Sequence, residues 1–364
     1  MLSSFSVEGF KNFEEKIEIH FWNAGDYSFH PEYITNGILN TAIIYGKNAV
    51  GKSNFGLALF DIVSHLTMNN VTPGLYDYYL NADSAEKSAF FEYEFVFGKD
   101  TILYGYQKNE KKEIESEFLM INDIVIFHIG DDNKDNNALI EDFPNLNWQH
   151  NTNMSPLKYL YYNSPLEPNH PINKMMKFIN NMLWFRCLDE NRFIGYTETV
   201  KNYPSLMVEN LDYLNEFNKL LKQSGIGSSV VVKKDVDGEA RLYFDTKTPM
   251  PFFKVASSGT KALYTFFYWY KTATDVSFMY IDEFDAFYHY ELAETIVLML
   301  KEMSDTQKIL TSHNTNLLSN RFMRPDCYFI LTGDNLTALP SATRRELREG
   351  HNLEKLYMSG EFNE

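Results

Sequence analysis

The stretch Gly46 to Ser53 reads GKNAVGKS and satisfies the pattern G-x-x-x-x-G-K-[ST] at every constrained position. Its glycines let backbone N–H groups turn inward around phosphates. Lys52 is expected at the β- and γ-phosphates, and the Ser53 hydroxyl on Mg²⁺. Upstream, Thr41-Ala-Ile-Ile-Tyr45 is an apolar run of buried-strand type, and from Asn54 to Leu66 apolar residues recur at helical spacing. The loop is therefore expected to join a strand to a helix N-terminus, where unpaired N–H groups favour an anion. The expected nucleotide contacts are Gly46, Lys47, Asn48, Ala49, Val50, Gly51, Lys52, Ser53 and Asn54, with ATP and Mg²⁺ as cofactors. A GTPase is disfavoured, because no N-K-x-D guanine motif occurs.

Composition narrows the class. The 364 residues are 44% hydrophobic and 16% aromatic, ample for a large core in one large or two ordinary domains. A net charge of −16 argues against nucleic-acid binding through the overall field, which needs clustered Lys and Arg. A local basic patch stays open at two small groups, Lys108 with Lys111 and Lys112, and Arg344 with Arg345 and Arg348, which otherwise read as solvated loop or helix faces. The best membrane candidate, Phe118 to Ile129, is broken by Asn122 and Asp123, and Glu8 stands where a signal peptide needs apolar residues. A soluble cytoplasmic protein is expected, with no membrane partner. Cys187 and Cys327 lie far apart, which suits a reducing compartment and neither a disulfide nor a zinc site.

Along the chain, alternation around Phe5 and Val7, a break at Gly9, and alternation through Ile17, Ile19 and Phe21 predict two strands. Phe90 to Phe97 and Thr101 to Tyr106 predict a hairpin in an antiparallel layer beside the nucleotide. Asp131 to Asn137 reads as an acidic loop, and Asn163 to Pro171 as a Pro- and Asn-rich one. Lys174 to Arg186 and Leu211 to Gln223 have helical periodicity, so 118–224 is expected to be a mainly helical insertion between head segments 1–117 and 225–364. From Ser228, alternation on both sides of Asp237-Gly238 predicts a hairpin. Asp235 and Asp237 could imitate a D-x-D nuclease site, but polar residues belong at such a turn.

The second half of the site follows. Phe278 to Glu283 reads FMYIDE, a buried strand ending in two acids. Asp282 is expected beside Mg²⁺, and Glu283 where it can orient and deprotonate the attacking water. Gln307 to Ser312 predicts a further strand, and His313 after it stands where a γ-phosphate sensor would sit. Upstream, Ser257, Ser258, Gly259 and Thr260 precede a helical stretch, and an N-terminus of small hydroxyl residues and Gly can bind an anion.

In this order, strand, phosphate loop, S-S-G-T signature, acidic strand and histidine resemble the ATP-binding-cassette class, in the branch of RecF and the SMC heads. FSVEGFKNF resembles that branch's opening strand, GKNAVGKSN its phosphate loop, IDEFDAFYH its acidic strand and LTSHNTNLL its histidine segment. The ending HNLEKLYMSGEF is similar to that of AAA15-type ATPases, which include ATPase subunits of PARIS and Rlo-type phage-defence systems. The fold the resemblance implies is an α/β P-loop NTPase with an ABC-type head: a mixed central sheet, flanking helices, an antiparallel β layer and an inserted helical lobe. It also implies an ATP-sandwich homodimer or higher oligomer in which Ser258, Gly259 and Thr260 act in trans. His289 departs from the usual Asp after the catalytic glutamate, and for the lid-loop glutamine Gln107 and Gln149 stay open. The implied role is a regulatory ATPase of an antiphage system, with an effector nuclease as partner and a phage protein as trigger. The stretch after His313 is read as too short for the TOPRIM nuclease domain that OLD-family relatives carry there. The alternative is a DNA-repair or chromosome-maintenance ATPase that binds DNA itself, so a nucleic-acid partner stays open. A transporter ATPase fits the RecF-like opening poorly.

Overall fold

Apolar and charged residues alternate from Phe91 to Phe95 within the strand Ser88–Phe97, and burial alternates with them, as in a strand with one face on a core. The computed structural model describes residues 1–69, 74–130, 134–135, 146, 154–186, 192–195, 203 and 205–362. Gln149, Cys187 and most of the acidic loop Asp131 to Asn137 lie outside them. Ser88–Phe97 belongs to a seven-stranded antiparallel sheet ordered Lys134–Asp135, Ile124–Ile129, Ile114–Ile121, Asp100–Asn109, Ser88–Phe97, Leu2–Glu8 and Ile17–His20. The two N-terminal strands and the hairpin at Gly98 stand as predicted. Asn122 and Asp123, with φ of 51° and 63°, form the turn between the strands that flank them. Two successive left-handed residues are what a tight hairpin turn requires, and Asn and Asp tolerate that region best after glycine.

A second seven-stranded sheet carries the phosphate loop. Five of its strands are parallel and adjacent: Met182–Arg186, Phe278–Asp282, Gln307–Ser312, Thr41–Tyr45 and Tyr328–Leu331. Arg192–Ile194 and Leu336–Ala338 close the edges antiparallel. Thr41–Tyr45, Phe278–Asp282 and Gln307–Ser312 are buried at every residue, which explains why none of them shows the polar–apolar alternation of a half-exposed strand.

The helix Lys52–Leu59 lies between the sheets. The Phe55 ring packs edge-on at 5.5 Å from Phe5 of the first sheet, and the Tyr280 hydroxyl of the second donates to the Lys52 carbonyl at 2.7 Å. A Cβ on Gly56 would sit 2.7 Å from the Tyr280 ring, so only glycine permits this approach. The helical run predicted to continue to Leu66 breaks at Phe60, whose ring is fully buried 5.9 Å from Trp184, and resumes as Asp61–Leu66.

Segment 118–224 departs from a mainly helical insertion. It contains the helices Pro156–Asn163, Pro171–Asn180, Leu206–Glu209 and Leu211–Gln223, but it also supplies strands to both sheets. The helix expected over Lys174 to Arg186 ends at Asn180, and Met182–Arg186 lies parallel to Phe278–Asp282. Met-Leu-Trp-Phe is apolar on every side, a pattern that serves a doubly covered strand as well as a buried helix. Beyond it, Val230–Lys234 and Ala240–Phe244 pair around Gly238, whose φ is 85°. The Asp235 and Asp237 carboxylates, at the turn, both pair with Arg241. Among the described residues, no helix is long and apolar enough to cross a membrane.

Candidate nucleotide-binding site

The parallel strands Phe278–Asp282, Gln307–Ser312 and Thr41–Tyr45 are consecutive neighbours, with Ile281 opposite Leu310 and Ser312 opposite Tyr45. Glu283, His313 and Gly46 therefore leave the same C-terminal edge of the sheet, where open α/β sheets bind their ligands. The sequence separates these residues widely; the strand order brings them together.

In the phosphate loop, Ala49 and Gly51 have φ of 66° and 107°, the left-handed conformations that turn successive N–H groups toward one side. A Cβ on Gly51 would meet the Asn12 amide at 2.5 Å. Helix Lys52–Leu59 has no side-chain cap, which leaves its first N–H groups to an anion. Lys52 is 5% exposed and donates from Nζ to the Gly46 carbonyl at 2.9 Å and the Lys47 carbonyl at 3.2 Å. Burial lowers its pKa, and the carboxylates of Glu283, Asp282 and Asp285 oppose that shift, so all three lie close enough to act on it.

Thr311 organises the acidic end of the neighbouring strand. Its hydroxyl donates to Asp282 Oδ1 at 2.8 Å and accepts the Glu283 N–H at 2.7 Å. Glu283 itself has a φ of 49°, unusual for a residue with a Cβ and typical of strained functional positions. Asp282 is buried, and its Oδ2 pairs with Arg186, whose Nε lies 3.9 Å away. Asp285 is buried too: Oδ2 accepts from the Ser312 hydroxyl at 2.6 Å, whereas Oδ1 has no hydrogen-bond partner among the described residues. Burial raises its pKa, against the pull of Ser312, His313 and Lys52. His313 is exposed at the same edge.

Sequence reasoning missed Asn12, Thr311 and Asp285. Asn12 Nδ2 donates to the Val50 carbonyl at 3.2 Å, and Asn54 donates to its Oδ1 at 2.6 Å, so the opening segment holds the phosphate loop. Its signal lay in the quoted GFKNF, as Asp285 lay in IDEFDAFYH. Thr311 carried none, being one polar residue in a buried strand.

The S-S-G-T segment forms the start of helix Ser258–Thr272. Ser257 Oγ accepts the Thr260 N–H at 3.1 Å and lies 2.8 Å from the Thr260 hydroxyl. Ser257 and Ser258 are exposed, whereas Thr260 is buried. A Cβ on Gly259 would lie 2.9 Å from the Phe287 carbonyl, in the loop after Glu283. His289 precedes the helix Tyr290–Lys301 without capping it by its side chain. Gln107 stands in mid-strand, its amide bonded to Ser88 and Ser116 and so unavailable as a lid residue. Lys108 is buried against Asp61 rather than solvated, whereas Lys111 and Lys112 are exposed. Among the described residues no group of three or more His, Cys, Asp or Glu could hold a metal ion.

A phosphate loop entering a helix, beside a strand ending in Asp-Glu and a strand ending before His, defines a P-loop NTPase with the ABC-type head arrangement. One family model matches residues 42–319, and its description is "AAA domain, putative AbiEii toxin, Type IV TA system". The chain belongs to this AAA family. No curated protein matches it. Among solved structures it is similar to an Smc head bound to the C-winged helix domain of ScpA, at 14% identity over 93% of this chain and 97% of that one, with a TM-score of 0.48. It is also similar to the SMC head domain from Thermotoga maritima, at 16% identity over 93% and 98%, with a TM-score of 0.44. An Smc head with an extended coiled coil, bound to the C-terminal domain of ScpA from Pyrococcus furiosus, gives 12% identity over 93% and 96%, with a TM-score of 0.45.

Proposed function

We propose that the chain hydrolyses ATP with Mg²⁺ and acts as a regulatory switch in a bacterial antiphage system, dimerising around nucleotide and controlling a separate effector. The observation that carries the hydrolytic reading is the shared sheet edge from which Gly46, Glu283 and His313 emerge. In this reading the loop N–H groups and Lys52 hold the phosphates, and Glu283 takes the proton of the attacking water. His313 contacts the γ-phosphate. Ser53 and the Asp282 oxygen remote from Thr311 would hold Mg²⁺, a hard cation that accepts few protein oxygens and completes its shell with phosphate and water. When bound there, Mg²⁺ would neutralise part of the phosphate charge.

Dimerisation is supported by the exposed Ser258 and by exposed apolar residues beside it: Val255 before the signature helix and Phe287 and Tyr290 after Glu283. The family's description, a toxin of a type IV toxin–antitoxin system, and the resemblance to AAA15-type subunits of PARIS and Rlo-type systems support a paired role. A nuclease effector and a phage-protein trigger follow from that resemblance, and the two distant cysteines suit a cytoplasmic setting. We assign effector docking to helices of segment 118–224, which lie outside the phosphate-loop chemistry.

Phosphate release from purified protein tests the reading. Mg²⁺-dependent turnover is expected, abolished by Lys52→Ala together with ATP binding, since removal of the ammonium leaves phosphate charge uncompensated. Undiminished ATP affinity in that variant would refute the assignment. Incubation with DNA or RNA and Mg²⁺ or Mn²⁺ should give no cleavage by the chain alone.

A further inference from the structure

Between the helices Asp61–Leu66 and Pro156–Asn163 and the strand Asp100–Asn109 lies a cavity of about 580 Å³. None of the phosphate-loop, Asp-Glu, histidine or signature residues lines it. Its volume falls in the range of pockets that enclose small molecules, roughly 300–1,000 Å³. Three lysines line it, Lys108, Lys112 and Lys158, with Asp61 the one carboxylate among the described lining residues.

Asp61 is already committed. Its Oδ2 accepts from Lys108 Nζ at 2.6 Å and from the Tyr106 hydroxyl at 2.8 Å, both contacts buried. Lys158 Nζ donates to the Thr67 carbonyl at 2.8 Å, and neither Lys158 nor Lys112 has an ion-pair partner among the described residues. Burial keeps the lining His65 neutral, so it does not change the balance. Two positive charges are thus left over in a cleft of a chain whose net charge is −16. A cleft with low-dielectric walls focuses such a field on an incoming anion. Tyr159 and Tyr162, on the same helix as Lys158, add aromatic surface for a flat ring.

We propose that this cavity is a second ligand site, taking a ring-bearing phosphate monoester of mononucleotide size, with its phosphate toward Lys112 and Lys158 and its ring against the tyrosines. A phosphate monoester carries about −1.5 to −2 charges at neutral pH, which the two unpaired lysines match. A single carboxylate would leave one of them uncompensated.

Calorimetric titration of AMP, UMP and inorganic phosphate into the full chain tests the site. At least one nucleotide should bind with a Kd below about 1 mM, more tightly than inorganic phosphate. Lys52→Ala should leave this binding intact, whereas Lys158→Gln and Lys112→Gln should each weaken it by about tenfold or more. Lys112 is exposed, so its variant keeps the test valid if Lys158→Gln folds poorly. Absence of nucleotide binding would overturn the proposal, as would phosphate binding equally well or binding lost in Lys52→Ala and retained in both lysine variants. Should the phosphate-loop reading itself fail, Lys52→Ala would not alter ATP binding, and the dependence on Lys112 and Lys158 would still stand or fall separately.

Discussion

Glu283 keeps its left-handed backbone because its N–H ends on the Thr311 hydroxyl, which also steadies Asp282. Replacing Glu283 with Gln keeps the shape and removes the proposed base, so ATP binding should persist while turnover falls by about 10²-fold or more. Normal turnover in that variant would remove Glu283 from the chemistry. Thr311→Val deletes one hydroxyl but leaves a buried carboxylate oxygen and an N–H unpaired. It should cost about 1–3 kcal/mol in urea denaturation and depress turnover as well. Unchanged stability would show that the two groups find other partners. The phosphate loop and the strand ending at Asp282 and Glu283 were legible as elements, because the proposed chemistry demands fixed residue types at fixed spacing. Thr311, Asn12 and Asp285 were not, because each acts through a contact formed only when distant strands or loops meet.

Among elements, the antiparallel strand Ile114–Ile121 holds a carboxyl away from water. Glu117 is fully buried on it, with Oε1 accepting from Ser155 at 2.7 Å and Tyr104 at 3.0 Å, while Oε2 lies 3.6 Å from His65 Nε2 without a hydrogen bond. Burial raises its pKa from 4.5 to about 7. The folded chain therefore holds this proton at pH values where the unfolded chain has released it. Stability from this group is fully present below about pH 4.5 and is lost as pH rises toward about 7, by about 3 kcal/mol in total. Glu117→Gln should accordingly raise the melting temperature at about pH 8 and change it little near pH 4.5. An equal shift at both pH values would contradict a buried, proton-linked carboxyl. The strands of the first sheet were legible where alternation met a turn signal, as at Gly98. The hairpin at Asn122-Asp123 hid inside an apolar run read as a broken membrane candidate. Met182–Arg186 hid at the end of a helical period, because full burial erases the alternation that marks a strand.

For the whole molecule, the proposed mechanism has nucleotide hydrolysed between two copies, each contributing its signature to the other's phosphate loop. Neither pairing nor higher assembly is legible in one chain's residues, since an interface needs only a matching surface. Gly259→Asp is a poor probe of it, because a side chain there would strike the Phe287 carbonyl of its own subunit. Ser258 is exposed, so Ser258→Arg blocks the signature face without that clash. Subunits carrying Lys52→Ala and subunits carrying Ser258→Arg should each be inactive alone. Half of a random equal mixture is heterodimer with one intact composite site of two. The decisive measurement is ATP turnover of that mixture, expected at about a quarter of the unmodified protein's rate for a symmetric two-site dimer. No recovery, with heterodimers shown to form, would contradict the composite site.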